Sequence, residues 1–183
     1  MKRLFLIAGL MAAFMLAVAS VGASGGINFG GTWTLDKAKS QGLSPRLENA
    51  ESVNCVITQD DKTISMEWKV TGGQPPAGGG PGSGGGGGRG PSGPQVYNLD
   101  GKEVTSEAGG QMGGTNTMKA TWSSDGKTLE LSSVRTGSFN GNEFKATQVD
   151  KLSMSEDGKV LTINRHTESP RGSTDATMVF NKG

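Results

Sequence analysis

The sequence predicts an all-β protein: an antiparallel up-and-down meander of about eight to ten strands that closes into a barrel. Three observations predict this fold class. Short segments of alternating apolar and polar residues are separated by Asp-Gly turns, the register that those turns set brings apolar side chains together, and no long stretch has helical periodicity. A barrel is favoured over a sandwich because sequential hairpins can close the sheet and leave no exposed edge.

The clearest hairpin joins Phe144–Ser155 to Val160–Thr167 through the turn Glu156–Lys159. The Asp-Gly pair of this turn predicts a two-residue type I′ loop, because both central residues of such a loop need positive φ. A two-residue loop sets the register of the two strands and places Met154 opposite Leu161.

The same register places one pair of charged residues among apolar ones. Leu152 lies opposite Ile163, and further from the turn Asp150 lies opposite Arg165 on the same face. If that face lines the interior, both charges are buried and each needs the other. The pair is then either a structural ion pair or a polar anchor at one end of a ligand cavity. Because an arginine that is already paired is poorly suited to hold a carboxylate, we expect any ligand to be neutral or weakly polar.

Three further turns set the register of further strand pairs. In each case the predicted register brings mainly apolar side chains together on one face. The turn at Asp60–Asp61 places Ile57 opposite Ile64, Cys55 opposite Met66 and Val53 opposite Trp68; the turn at Asp100–Gly101 places Tyr97 opposite Val104; and the turn at Asp125–Gly126 places Trp122 opposite Leu129, Ala120 opposite Leu131 and Met118 opposite Ser133.

Residues 1–23 have the pattern of a secretory signal peptide. Two basic residues precede the apolar run Leu4–Val21, which ends in small residues before Ser24, and Ala17–Ala19 is a second possible cleavage site. The alternative is an uncleaved membrane anchor, because the run is near the length that spans a bilayer. We expect an exported protein, periplasmic or extracellular, that is soluble and not inserted in a membrane after cleavage.

Removal of the signal peptide leaves one domain. We expect a flexible leader at residues 24–28 and a single β-barrel domain at residues 29–183, interrupted by a low-complexity Gly/Pro loop at residues 72–94. Because this loop cannot bury apolar surface, its composition predicts disorder. It does not match a phosphate-binding loop, since no Gly-Lys-Ser/Thr sequence follows it.

The charge and the cysteine count restrict the partners. Loss of Lys2 and Arg3 with the signal peptide changes the formal net charge from +1 to −1, which argues against nucleic acid or an anionic membrane as partner. Cys55 is the single cysteine, so no intramolecular disulfide forms. We expect its thiol to be buried and inert beside Val53 and Ile57, and a thiol that joins two chains is the alternative. No particular protein partner is indicated.

The first strand carries a family motif. The segment Phe29–Leu35, with Gly31 and Trp33 in a Gly-x-Trp arrangement, resembles the first-strand signature of the calycins, which include the lipocalins and the fatty-acid-binding proteins. The resemblance implies a lipocalin-like barrel whose bottom is closed by Trp33 and whose interior carries a small apolar ligand. A short helical segment at Asp36–Ser40, capped by Asp36, would also fit this family.

Catalytic and metal sites are not expected. His166 is the only histidine, and its parity places it on the face opposite Arg165, where we expect it to be solvated. A zinc site needs more His or Cys ligands than this chain has, and the paired carboxylates lie in turns rather than in a cleft. The sequence therefore predicts a protein that is not an enzyme and that uses no cofactor or metal.

Two functions remain compatible with the predicted barrel. In the first, the barrel binds a small apolar or weakly polar molecule outside the cytoplasm; in the second, its side chains fill the interior and it is a structural or protein-interaction module of the cell envelope. Structural roles are expected for Trp33, Asp150 and Arg165. The candidate ligand-binding residues of the interior are Trp68, Tyr97, Met118, Trp122, Phe144 and Arg165.

Overall fold

The structure, a computed structural model, describes residues 26–72, 93–107, 114–139 and 142–183. The predictions made for the signal peptide and for most of the Gly/Pro loop lie outside these residues. No helix in the described part of the chain is long and apolar enough to span a membrane. The described residues form ten strands: β1 Gly31–Leu35, β2 Ala50–Gln59, β3 Thr63–Gly72, β4 Gln95–Asn98, β5 Val104–Glu107, β6 Thr115–Trp122, β7 Thr128–Phe139, β8 Asn142–Met154, β9 Val160–Ser169 and β10 Gly172–Lys182.

The ten strands form one antiparallel sheet in the order β4-β3-β2-β1-β10-β9-β8-β7-β6-β5. Its two edge strands, β4 and β5, approach each other without pairing, and β4 also contacts β6, so the sheet closes nearly into a barrel. This confirms the predicted meander. The predicted pairing of Tyr97 with Val104 is wrong, because β4 pairs with β3 and β5 pairs with β6 on either side of this seam.

Two short helices connect β1 to β2. A 3-10 helix at Lys37–Lys39 is capped by the Asp36 side chain, which accepts a hydrogen bond from the Lys39 backbone N–H, and α1 spans Pro45–Glu48. The predicted helical segment after β1 is therefore confirmed. Because β1 is short, this connection continues alongside β10, where the Gln41 backbone exchanges hydrogen bonds with Thr177.

The register of the β8–β9 hairpin is confirmed, but its turn is wider than predicted. Met154 lies opposite Leu161, and the hairpin closes with a hydrogen bond from the Ser155 N–H to the Val160 carbonyl, which leaves four residues in the loop. Gly158 has φ +68, while the Asp157 carboxylate accepts hydrogen bonds from the Ser155 hydroxyl and the Lys159 N–H. The wider loop has the same centre as the predicted one, so the facing pairs are unchanged.

The β6–β7 hairpin also has the predicted register, with Trp122 opposite Leu129. The predicted β2–β3 register is wrong by two residues. The turn lies one residue further along the chain, because the Asp60 carboxylate accepts hydrogen bonds from the backbone N–H groups of Lys62 and Thr63. A shift of two residues preserves the face of every side chain. The observed pairs are Ile57 with Met66, Cys55 with Trp68 and Val53 with Val70.

One end of the barrel is closed by the N-terminal segment 26–30, and this end is called the closed end below. Phe29 is fully buried and stacks on Trp122 with ring centroids 6.0 Å apart. The Trp33 indole N–H donates a 2.8 Å hydrogen bond to the Phe29 carbonyl, and the Lys182 ammonium lies 5.5 Å from the centre of the Trp33 ring. The Gln59 side chain holds the segment by hydrogen bonds to the Phe29 N–H and the Ile27 carbonyl.

Candidate functional site

On most strands, the inward-facing side chains are more deeply buried near the closed end than near the opposite end. On β7, Leu129 and Leu131 are 0% and 1% exposed, whereas the next inward-facing residues, Ser133 and Arg135, are half-buried. The pattern repeats on the neighbouring strands. The interior is therefore packed near the closed end and accessible near the other.

The accessible part of the interior is called the open end below. Apolar and polar side chains both line it, and several strands contribute to it. All of them continue the inward-facing parity of fully buried residues on the same strand. These half-buried residues are Trp68 and Val70 on β3, Asn116 on β6, Ser133 and Arg135 on β7, Phe144, Ala146 and Gln148 on β8, and Arg165 and Thr167 on β9.

The Asp150–Arg165 ion pair lies at the boundary between the packed part and the open end. Arg165 donates two hydrogen bonds of 2.7 Å, one from Nε to Asp150 Oδ1 and one from Nη2 to Asp150 Oδ2. The Gln148 amide donates a third, of 3.0 Å, to Asp150 Oδ2. Asp150 as a whole residue is 3% exposed. Because water hardly reaches its carboxylate, these three donors compensate almost all of its charge.

The Arg165 side chain also reaches across the interior to β3. Its guanidinium carbon lies 4.9 Å from the centre of the Trp68 ring, and Trp68 in turn meets Phe180 edge-on at 5.7 Å. The carboxylate compensates the charge of this guanidinium, and the aromatic ring covers one of its faces. The Arg165 guanidinium covers the apolar core on the side of the open end. Because its charge is paired with Asp150, Arg165 has little capacity to bind a charged group of a ligand.

Two titratable groups of the packed part are held neutral. Burial raises the pKa of the Cys55 thiol to about 12, and burial together with the nearby Asp150 charge raises the pKa of the Tyr97 hydroxyl. The thiol is therefore protonated at physiological pH and unreactive, as the sequence predicts.

The structure divides the predicted ligand-binding residues into two groups. Tyr97 and Met118 are 2% and 6% exposed and belong to the packed part, and Trp122 lies at the closed end against Phe29. Trp68, Phe144 and Arg165 reach the open end. For all six, a binding role remains a prediction.

Sequence reasoning missed two charged residues, one at each end of the barrel. Arg135 follows Leu129 and Leu131 in strict alternation, so parity alone indicated that it faces inward. Lys182, which packs over Trp33, has no comparable signal, because it is the last strand residue and its partner is distant in sequence.

A second concave region lies on the outer face of β8 to β10. This cleft has a volume of about 410 Å³ and is lined in part by Gln41, Lys151 and His166. His166 Nδ1 lies 2.7 Å from Asp175 Oδ1, and Nε2 lies 3.5 Å from Glu168 Oε1. The Asp175 and Glu168 carboxylates raise the pKa of His166. Within the described residues, no group of three or more His, Cys, Asp or Glu side chains is placed to hold a metal ion.

Replacement of Asp150 by alanine is expected to destabilise the protein strongly, because it leaves the Arg165 charge without its partner. We expect a loss of about 3–5 kcal/mol in the free energy of unfolding, measured by urea denaturation. Glu130→Ala, which removes an exposed carboxylate 3.6 Å from Lys151, is the control and should cost less than about 1 kcal/mol. The double variant Asp150→Leu, Arg165→Met should recover much of the loss. Equal stability of the wild type and Asp150→Ala would contradict the burial of the pair.

The pKa of His166 should lie above that of an unstructured histidine, and NMR titration of the imidazole in untagged protein measures it. Asp175→Asn should lower this pKa, and Glu168→Gln should lower it less. Because the folded state binds the proton more tightly, the resulting stabilisation is present below the pKa of unfolded histidine and is lost as pH rises through the folded-state pKa. A pKa at or below the ordinary value, unchanged in Asp175→Asn, would contradict the contact.

The sequence matches no protein-family model, and no curated protein matches it significantly. Among solved structures, the chain is similar to zebrafish ileal bile acid-binding protein, whose crystal structure contains cholic acid. The TM-score is 0.46 at 13% sequence identity, and the alignment covers 85% of this chain and 98% of that chain. The fold assignment rests on the strand order itself, which fits the calycin-like barrel that Gly31 and Trp33 predict.

Proposed function

We propose that the protein is exported and binds one small, largely apolar molecule in the open end of its barrel. The observation that carries this proposal is the burial gradient of the inward-facing side chains. Most residues that point into the barrel are fully buried near the closed end, and most are half-buried beyond the Asp150–Arg165 pair. Side chains that face inward and still contact solvent line a concave surface, which is the usual form of a small-molecule site.

The composition of the open end supports a ligand with an apolar body. Trp68, Val70 and Phe144 supply apolar and aromatic surface from two sides of the barrel, and Gln148 and Ser133 supply hydrogen-bonding groups between them. A mainly apolar lining with a few convergent polar groups is typical of ligand sites. The Arg165–Asp150 pair forms the polar floor of this site.

A structural or protein-interaction module of the cell envelope is the second candidate. The observation that favours it is the complete burial of the interior near the closed end, where Trp33, Ile163 and Phe180 are 0% exposed. Such packing stabilises a barrel without any ligand. The two candidates differ in what the open end does, so a binding measurement separates them.

Binding of the neutral fluorescent probe N-phenyl-1-naphthylamine tests the proposal, because its emission rises when it leaves water for an apolar site. Ser133 and Ser132 give a matched pair of positions: Ser133 faces into the open end, and Ser132 is the neighbouring outward-facing residue. Ser133→Phe should fill the site and weaken probe binding by at least about tenfold, whereas Ser132→Phe should leave it unchanged.

Both variants are compared with the wild type by thermal unfolding, so that loss of binding is not confused with loss of folding. Saturable binding by the wild type, lost in folded Ser133→Phe only, supports the ligand site. No saturable binding by the wild type, or equal loss in both variants, would favour the filled module.

A further inference from the structure

We infer that the bound molecule carries an anionic group and that Arg135 is the residue that selects it. This inference rests on the proposed function and adds to it the charge of the ligand. The expectation of a neutral or weakly polar ligand considered Arg165 alone, and the charge of Arg165 is already paired with Asp150. Arg135 lies further from the closed end than Arg165, and its Nε atom has no hydrogen-bond partner.

Arg135 projects into the open end from β7. It lies opposite Ala146 on β8 and opposite Asn116 on β6, and its parity is that of the fully buried Leu131. Its Nε atom is buried and has no hydrogen-bond partner. A guanidinium nitrogen removed from water without an acceptor is unfavourable, so the folded protein carries one unsatisfied donor at this place.

The charge of the interior shows the same imbalance. Among the inward-facing positions of the described strands β6 to β9, the charged residues are Arg135, Arg165 and Asp150. Asp150 accepts three hydrogen bonds from Arg165 and Gln148, so its negative charge is already compensated. One positive charge therefore remains without a counter-charge in this part of the barrel.

Neither the segments outside the described residues nor the other acidic residues of β8 and β9 supply the missing carboxylate. Segments 73–92, 108–113 and 140–141 contain neither Asp nor Glu, and the same holds for residues 1–25. The acidic residues of β8 and β9 other than Asp150 are Glu143 and Glu168, whose parity places them on the outer face. Among the described residues, no salt bridge joins a carboxylate to Arg135, so we expect its counter-ion to be a group of the ligand.

An anion of planar or tetrahedral geometry matches the donors of a guanidinium. A carboxylate, sulfonate or phosphate can accept two parallel hydrogen bonds from one guanidinium. The next inward-facing register pair beyond Arg135 is Gly137 with Phe144, whose ring is half-buried. Arg135 thus lies beside aromatic surface, so one molecule can place its anionic group on Arg135 and its apolar body against Phe144.

Two probes with the same ring system separate the charge from the apolar body. N-phenyl-1-naphthylamine is neutral, and 1-anilinonaphthalene-8-sulfonate is the same skeleton with one sulfonate group. Arg135→Met should weaken binding of the sulfonate probe by about tenfold or more and change binding of the neutral probe less than about twofold. Lys119→Met, which removes the same charge from an exposed, outward-facing residue of the adjacent strand β6, should leave both affinities unchanged.

The outcomes distinguish the two proposals. If the wild type binds the neutral probe and Arg135→Met leaves the sulfonate affinity unchanged, the role of Arg135 is wrong and the ligand site stands. If Lys119→Met weakens binding of the sulfonate probe as much as Arg135→Met does, general surface charge is responsible and the inference fails. If neither probe binds saturably, the proposed site itself is wrong. Arg135→Met should also unfold at a temperature no lower than the wild type, because it removes an unsatisfied buried donor.

Discussion

The Asp150–Arg165 ion pair divides the interior of this barrel. Toward the closed end, the inward-facing side chains are apolar and most are fully buried; toward the open end, most are half-buried and both apolar and polar. A buried charge pair is tolerated only when its geometry is good and its remaining hydrogen-bonding capacity is used. Here two hydrogen bonds of 2.7 Å, a third from Gln148 and the ring of Trp68 satisfy it. The pair therefore ends the apolar core and forms the floor of the open end.

Much of the fold could be predicted from the sequence, because Asp-Gly turns and hydrophobic alternation carry the information locally. The Met154–Leu161 register was correct although the loop is wider than a type I′ turn, since both loops have the same centre. The β2–β3 register was displaced because Asp60 caps the turn one residue later than expected. Because the register error is two residues, every side chain stays on the face that was predicted for it. The predicted core residues of these strands are therefore correct.

The site was less predictable, because it depends on depth along the barrel rather than on which face a residue occupies. The alternation of side chains correctly predicted that Tyr97 and Met118 face inward, but it could not show that they lie in the packed part of the interior. Nor could it show that Arg165 contacts a carboxylate and an aromatic ring from two other strands, while the Nε atom of Arg135 has no hydrogen-bond partner. These distinctions arise from the closure of the sheet, which brings together residues that are distant in sequence.

The division of the interior is tested most directly by the three tryptophan indole N–H signals in a two-dimensional ¹⁵N NMR spectrum. Trp68 borders the open end, whereas Trp33 and Trp122 lie at the closed end. On titration with N-phenyl-1-naphthylamine, the Trp68 signal should shift in proportion to saturation while the other two remain in place. Shifts of the Trp33 and Trp122 signals, with the Trp68 signal unmoved, would contradict a packed closed end and an accessible open end.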